Sequence, residues 1–196
     1  MRIGVLALQG AVREHMNALR ASGAEPVEIK YRQQLASVKG LIIPGGESTT
    51  VGKLLERHQM LEPLKVLGQS GFPIMGTCTG LILLASEIEG SEQPRLGLMD
   101  IAVKRNAFGR QIASFEADLE IKALGPPDFH GIFIRAPFIS RTGAGVKVLA
   151  ALEGKVLMAQ QGNLLATAFH PELTSDLRVH RYFLNLCANA RDQRFK

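Results

Sequence analysis

Two short stretches of the sequence carry side chains that attack carbonyl carbons and move protons. The first, Gly76-Thr77-Cys78-Thr79-Gly80, lies between two apolar runs. A strand that turns into a helix through glycines, with one reactive side chain at the apex, is typical of a nucleophile elbow. The following helix N-terminus would favour the thiolate of Cys78. Although cysteine is also among the residues most often buried in cores, this context makes Cys78 a candidate nucleophile.

The second stretch, Phe169-His170-Pro171-Glu172, offers a base and a group to orient it. Residues two apart point to the same side of an extended segment, so we expect His170 and Glu172 to face together. Glu172 would then accept a hydrogen bond from one ring nitrogen of His170 while the other nitrogen faces the thiol. A histidine at a strand end is more often structural. Its combination with Cys78 makes a Cys-His-Glu triad the hypothesis to test.

The four other histidines are weaker candidates for the base. His15 lies beside Glu14 in a helical segment, opposite its apolar face, and we expect it to be solvated. His58 belongs to an amphipathic helix and is expected at the surface. His130 is expected in a loop, and His180 lies off the apolar stripe of the last helix.

A third stretch, Gly45-Gly46-Glu47-Ser48, follows an apolar run and could stabilise the anion that a thiol attack creates. Consecutive glycines leave backbone N–H groups free to point at an anion. We expect the N–H groups of Gly46 and Thr79 to form an oxyanion hole, with a plain tight turn as the alternative. A phosphate-binding P-loop is excluded, because the glycine spacing before Lys53 is wrong and Leu54 stands where Ser or Thr should follow.

The composition is that of an ordinary globular chain of 196 residues, with 46% hydrophobic and 21% charged residues. This predicts one domain over residues 1–196. The net charge of +5 forms no basic stripe, which argues against a nucleic-acid partner. Cys78 and Cys187 fit no zinc site, and no segment has the pattern of a signal peptide or a membrane span. Because disulfides are rare in reducing compartments, two distant cysteines favour a cytoplasmic location.

The secondary structure must bring the three stretches to one edge of a sheet. Strand and helix patterns alternate from residue 2 to about 87, which predicts a parallel sheet with right-handed crossovers. Residues 80–88 are predicted as one helix, residues 131–139 as one strand, and residues 175–192 as a last helix with Cys187 on its apolar stripe. The predicted fold is α/β: a single domain with a mostly parallel central sheet flanked by helices, and additional antiparallel strands in the second half.

Taken in order, PGGES, GTCTG and FHPE resemble the motifs of class I, triad-type glutamine amidotransferases. The segments LALQGAVREH, RNAFGRQ, GIFIRAP and FHPELT resemble more narrowly the glutaminase subunits of pyridoxal 5′-phosphate synthases. The likeness runs from about residue 2 to 185. Thr79 departs from this family, which usually has alanine there. A small side chain should be tolerated, because the oxyanion hole needs only the backbone amide.

The resemblance implies hydrolysis of L-glutamine to L-glutamate and ammonia through a γ-glutamyl thioester, without a metal or cofactor. Cys78 would be the nucleophile, His170 the base and acid, and Glu172 the residue that orients His170. Six residues are implied to contact glutamine: Gly46, Glu47, Ser48, Arg105, Ile134 and Arg135. A zwitterionic substrate does suit a cation such as Arg105 or Arg135 and an anion such as Glu47.

The resemblance also implies a partner, a synthase subunit that condenses the ammonia with a pentose phosphate and a triose phosphate, in a hetero-oligomeric complex. Two alternatives stay open: a glutaminase of the same class that serves another synthase, and a non-catalytic or peptidase relative on the same elbow fold. Partner binding could also complete the oxyanion hole by flipping a peptide near Gly45-Gly46, since glycine allows such a flip at little steric cost.

Overall fold

The computed structural model describes residues 1–105 and 114–190. The chain up to Ile88 alternates strands and helices, as predicted. Its elements are β1 (Arg2–Leu6), α1 (Val12–Ala21), β2 (Glu25–Ile29), a 3₁₀ helix (Arg32–Ser37), β3 (Leu41–Ile43), α2 (Ser48–Arg57), α3 (Leu61–Gln69), β4 (Ile74–Thr77), α4 (Thr79–Leu84) and β5 (Ala85–Ile88).

The second half consists mostly of strands joined by short turns. Its elements are β6 (Met99–Lys104), β7 (Ser114–Leu119), β8 (Phe129–Ile134), β9 (Phe138–Thr142), β10 (Lys147–Leu152), β11 (Lys155–Gln161), β12 (Leu164–Thr167), a 3₁₀ helix (Pro171–Leu173) and α5 (Arg178–Asn189). Residues 191 and 192 of the predicted last helix lie outside the described residues. Within the described ranges, no helix combines the length and the apolar character needed to cross a lipid bilayer.

Ten strands form one sheet, in the order β2-β1-β3-β4-β12-β11-β9-β6-β5, with β10 paired to β11. The five strands from β2 to β12 run parallel, whereas β12, β11, β9 and β6 pair antiparallel. Strands β7 and β8 form a separate antiparallel pair. The predicted mostly parallel sheet with antiparallel additions in the second half is therefore confirmed.

Strands β3, β4 and β12 lie side by side at the centre of the parallel part. Every residue of these three strands is buried. Their nearly continuous apolar sequences follow from this position, because a central parallel strand is covered on both faces. Ile43 pairs with Gly76 and Thr77 with Thr167, so the three strands end almost level. The loops that carry the three candidate stretches therefore leave the sheet at one edge.

Two predicted elements differ from the structure. The predicted helix over residues 80–88 ends at Leu84, and Ala85–Ile88 continue as β5, which pairs with β6. A short apolar run fits a buried helix or a buried strand equally well, so sheet pairing decides. The predicted strand over residues 131–139 is two strands, because Arg135 adopts a φ of 46° and Pro137 lacks the N–H that a sheet ladder needs.

Candidate active site

Cys78 occupies a sharp turn between β4 and α4, with φ 51° and ψ −98°. A residue other than glycine rarely adopts this conformation. The N–H of Cys78 donates a hydrogen bond of 2.8 Å to the carbonyl oxygen of Thr167 on β12. A Cβ atom on Gly76 would lie 2.4 Å from the carbonyl oxygen of Gly80, and one on Gly80 would lie 2.3 Å from that of Ile43. Gly76 and Gly80 are therefore required for the close packing of α4 against β4 and β3, and the predicted elbow is present.

His170 lies beyond the end of β12, with its Nδ1 atom 2.8 Å from Oε1 of Glu172. The predicted contact between these residues is present, but the reason given for it was wrong. Pro171 opens a 3₁₀ turn, so the two side chains meet across a turn and not by alternation along an extended strand. The backbone N–H of His170 also donates to the carbonyl oxygen of Ile132 at 2.8 Å, which ties the turn to β8.

Cys78 and His170 both pack against Gly45. Burial disfavours a charged His170 ring, but the interactions with Cys78 and Glu172 outweigh it and raise the pKa of His170 to about 10. Burial also opposes ionisation of Glu172, yet the neighbouring His15 and His170 hold the pKa of its carboxyl below the ordinary value. The arrangement therefore favours an imidazolium at His170 beside an ionised Glu172 carboxylate.

These groups face a cavity of about 580 Å³ at the carboxyl ends of β3, β4 and β12, a size typical of small-molecule sites. Glu172 lies behind His170 in the core. The other candidate site residues all line the cavity: Gly46, Glu47, Ser48, Cys78, Thr79, Arg105, Ile134, Arg135 and His170. Of the RNAFGRQ segment only Arg105 belongs to the described residues, because residues 106–111 lie outside them.

The glycine loop after β3 packs closely on the triad. A Cβ atom on Gly45 would come within 2.5 Å of Cε1 of His170, so only glycine leaves room for the ring. Gln9 Oε1 accepts a hydrogen bond of 3.1 Å from the N–H of Glu47. Sequence reasoning missed Gln9, whose signal was a polar residue at the end of the first apolar run. The amides of Gly46 and Thr79 border the cavity, and their service as an oxyanion hole stays a prediction.

Glu47 caps the N-terminus of α2. Its carboxylate accepts hydrogen bonds from the N–H groups of Thr49 at 3.1 Å and Thr50 at 2.7 Å, and from the Thr50 hydroxyl at 2.7 Å. Slight burial opposes ionisation, but these bonds lower the pKa of Glu47 overall. Its negative charge is thus fixed at the cavity rim.

Arg105 and Ser48 meet at Gln93, a buried residue that sequence reasoning missed. Oε1 of Gln93 accepts hydrogen bonds from the Arg105 guanidinium at 2.7 Å and from the hydroxyls of Ser48 and Thr49, both at 3.2 Å. No local pattern marks Gln93, because its three donors come from two distant segments. The amide therefore positions two predicted substrate contacts at once.

Ile134 and Arg135 border the cavity where β8 ends. The carbonyl oxygen of Ile134 lies 3.9 Å from the sulfur of Cys78. Arg135 has a positive φ and an exposed side chain. Within residues 1–105 and 114–190, its guanidinium has no hydrogen bond or ion pair. It is therefore available to an anionic group at the cavity mouth.

Three predictions about the other histidines were wrong. His180 was expected off the apolar stripe of the last helix, but it is fully buried on the same face of α5 as Phe183 and Cys187. His15 is fully buried, because it lies three residues after Val12 and four before Leu19, on the apolar face of α1, which packs against the turn that carries Glu172 and against α5. His130 lies in β8 and not in a loop, with its ring between the carboxylates of Glu116 and Asp118, each at 2.8 Å. His58 is exposed, as predicted.

Comparison with known proteins finds relatives over almost the whole chain. The model of the SNO glutamine amidotransferase family matches residues 5–189. A protein of Pelotomaculum thermopropionicum named pyridoxal 5′-phosphate synthase subunit PdxT is 61% identical over 190 residues, which cover 97% of each chain. The protein of the same name from Moorella thermoacetica is 59% identical over 186 residues, covering 95% of this chain and 99% of the relative.

Solved structures show the same architecture. A crystal structure described as a glutamine amidotransferase superposes with a TM-score of 0.91 at 51% identity, covering 95% of this chain and 98% of that one. The structure of PurLQS from Thermotoga maritima superposes with a TM-score of 0.68 at 17% identity, covering 94% of this chain and 97% of that one. At so low an identity the second likeness is one of fold alone.

Proposed function

The chain belongs to the SNO glutamine amidotransferase family, and from that premise we propose that it is the glutaminase subunit of a pyridoxal 5′-phosphate synthase. It hydrolyses L-glutamine to L-glutamate and ammonia, and it delivers the ammonia to the synthase subunit of a hetero-oligomeric complex. The names of relatives at 61% and 59% identity support the pathway. The observation that carries the chemistry is that Cys78 and His170 line one cavity side by side, with Glu172 2.8 Å behind the His170 ring.

In the first half of the reaction, the sulfur of Cys78 attacks the side-chain amide carbon of glutamine. The amide oxygen becomes an oxyanion, which the N–H groups of Gly46 and Thr79 stabilise. The carbon–nitrogen bond then breaks, and His170 gives its proton to the nitrogen that leaves as ammonia. The product on the enzyme is a γ-glutamyl thioester of Cys78.

In the second half, neutral His170 accepts a proton from a water molecule that attacks the thioester carbon. The carbon–sulfur bond breaks, glutamate leaves, and the thiolate–imidazolium pair is restored. Glu172 stays ionised throughout and holds the ring of His170 in the orientation that serves both proton transfers.

Charge at the cavity wall fits a free amino acid as the substrate. Arg105 and Arg135 offer cations to the α-carboxylate, and Glu47 offers an anion to the α-ammonium. Gly46, Ser48 and Ile134 complete the proposed contacts. A cavity of about 580 Å³ has room for a free amino acid, and opposite charges on its wall suit a zwitterion better than a peptide chain.

The partner follows from the chemistry of the product. Ammonia is largely protonated in neutral water and is then not nucleophilic, so release into bulk solvent would waste it. Direct transfer to an adjacent synthase subunit avoids that loss. A cytoplasmic location stays a prediction from the cysteine usage.

The test is glutamate release from glutamine by the purified protein, alone and with the pyridoxal phosphate synthase subunit. Cys78→Ala is the active-site variant, and Cys187→Ala is the matched control because Cys187 packs in the core. We expect release to rise with the partner in the wild type and in the control, and to fall at least about 10³-fold in Cys78→Ala. Activity indifferent to this partner would assign the protein to another synthase. No activity in a folded wild-type complex would overturn the catalytic proposal.

A further inference from the structure

Behind the cavity, a second set of polar side chains lies within the core. His15 of α1 and His180 of α5 are fully buried, and so is the Glu172 carboxylate. Nε2 of His15 lies 3.3 Å from Oε2 of Glu172 and 3.1 Å from the hydroxyl of Thr77. Its Nδ1 lies 3.0 Å from Nε2 of His180. Glu172 is thus flanked by two imidazoles, with His170 on Oε1 and His15 on Oε2.

The second oxygen of Glu172 depends on this neighbour. Among the described residues, Oε2 of Glu172 has no partner that meets the usual hydrogen-bond geometry. Its polar neighbour is Nε2 of His15, at 3.3 Å. A buried carboxylate oxygen without a donor is costly. Apolar side chains could fill the same space at lower cost, which points to a role in the chemistry and not in stability.

The contacts select one tautomer for each ring. An ionised carboxylate only accepts hydrogen bonds, so the nitrogen of His15 that faces Glu172 must carry the proton. A neutral His15 then presents a lone pair at Nδ1, and Nε2 of His180 must donate to it. That leaves Nδ1 of His180 as an acceptor, which agrees with its having no partner among the described residues.

We propose that His15 is a positioning residue of the glutaminase site: its Nε2–H, held in that tautomer by His180, fixes Oε2 of Glu172 so that Oε1 stays directed at His170. The inference rests on the proposed function and deepens it. His15 and His180 touch neither the substrate nor the thiol, and they act through Glu172.

A neutral donor suits this position better than a cation. Burial lowers the pKa of His15, and it lowers that of His180 to about 3. The titratable groups around His15 are Glu172, His170 and His180, with Glu14 next to it on α1. A charged His15 would compete with the His170 imidazolium for the carboxylate. A neutral N–H orients the carboxylate and leaves its charge to His170.

Two substitutions at His15 separate the contacts of Nε2, with Glu172 and Thr77, from the contact of Nδ1 with His180. The amide nitrogen of glutamine can occupy the place of Nε2, so His15→Gln keeps a donor toward Glu172 and loses the contact with His180. Asparagine reaches only as far as Nδ1, so His15→Asn keeps a polar contact toward His180 and loses the donor toward Glu172. Each variant places one amide in the same buried site, which makes them matched controls for stability.

The first experiment measures glutamine hydrolysis by both variants in the complex with the synthase subunit. We expect His15→Asn to lose about tenfold or more in kcat with little change in KM, because Oε2 of the ionised Glu172 loses its polar contact with Nε2 of His15. His15→Gln should stay within about threefold of the wild type, since it keeps a donor at that place. Equal losses in the two variants at equal thermal stability would overturn the proposal.

The second experiment does not depend on glutamine. Iodoacetamide alkylation of Cys78 is followed against pH, with Cys78→Ala to correct for Cys187, whose pKa burial raises to about 12. Without the Nε2–H donor of His15, the Glu172 carboxylate is protonated more easily, and the site loses its negative charge at a higher pH. The pH at which the alkylation rate falls on the acid side should therefore be higher in His15→Asn and unchanged in His15→Gln. An unchanged pH in His15→Asn would contradict the positioning role even if the protein proved not to be a glutaminase.

The third measurement uses the wild-type protein, so it gives a result even if the His15 variants do not fold. Nitrogen NMR of the unmodified protein, labelled in its histidine rings, reports which ring nitrogen carries the proton. We expect neutral His15 protonated at Nε2 and neutral His180 protonated at Nε2. A proton on Nδ1 of His15 would turn a lone pair toward Glu172 and overturn the proposal.

Discussion

The hydroxyl of Thr79 donates a hydrogen bond of 2.6 Å to the carbonyl oxygen of Gly46. The residue after the candidate nucleophile therefore holds the glycine loop with its side chain, in addition to offering its backbone amide to the cavity. This bond ties α4 to the loop after β3.

Replacing Thr79 tests the strength of that tie. We expect Thr79→Ala to lower the free energy of unfolding by about 1 kcal/mol, the usual net worth of one hydrogen bond. Thr79→Ser keeps the hydroxyl and should lose less. Chemical denaturation of the three proteins gives the comparison, and equal stability of the alanine variant and the wild type would show that the bond contributes nothing measurable.

The raised pKa of His170 predicts a pH-dependent stability. The folded state holds the imidazolium up to a pKa of about 10, whereas the unfolded chain releases the proton near 6.5. The stabilising effect is therefore fully present below about pH 6.5 and is lost as the pH rises toward 10. The gap in unfolding free energy between the wild type and His170→Asn should shrink over that window. A gap that stays constant from pH 6 to 10 would contradict the ion pair.

Substitution of Gln93 should affect substrate binding more than chemistry. Gln93→Leu removes the acceptor shared by Arg105 and Ser48, so both lose their fixed positions. We expect KM for glutamine to rise about tenfold, with a smaller change in kcat, because a hydrogen bond to a charged group is lost. Arg141→Ala is the control, since Arg141 pairs with Asp100 and Glu87 outside the cavity lining. A fall in kcat alone would show that Gln93 has another role.

Alanine at Gly80 should disrupt the elbow. The new Cβ atom would lie 2.3 Å from a backbone oxygen of β3, and a backbone contact cannot move aside as a side chain can. We expect the loss of stability to exceed the roughly 1–2 kcal/mol that a strained backbone position costs. Gly90→Ala provides that reference, because Gly90 has a φ of 69° and open space around it. Similar melting temperatures for the two variants would contradict the close packing of the elbow.

Sequence patterns predicted the parts of the site that depend on local order along the chain. Glycines around Cys78 indicated the turn, and three apolar runs of strand length indicated the strands that end beside it. Neighbouring parallel strands have their carboxyl ends at the same edge of the sheet, so the proximity of Cys78 and His170 followed from the fold class.

The parts that the sequence did not predict depend on what covers each element. Helical spacing places His15 on the apolar face of α1, but its polar partners on α5 and in the Glu172 turn follow only from tertiary packing. Gln93 takes its role from donors more than ten residues away along the chain. The boundary between α4 and β5 is set by pairing with β6. Local periodicity contains none of this information.

The contact between His15 and His180 joins α1 to α5, across 165 positions. The inner side of the Glu172 carboxylate is therefore closed by two elements that lie far apart in the sequence. Contacts of such long range form only after a large loop of the chain has closed. We therefore expect the site to reach its final geometry late in folding, once α1 and α5 have packed together.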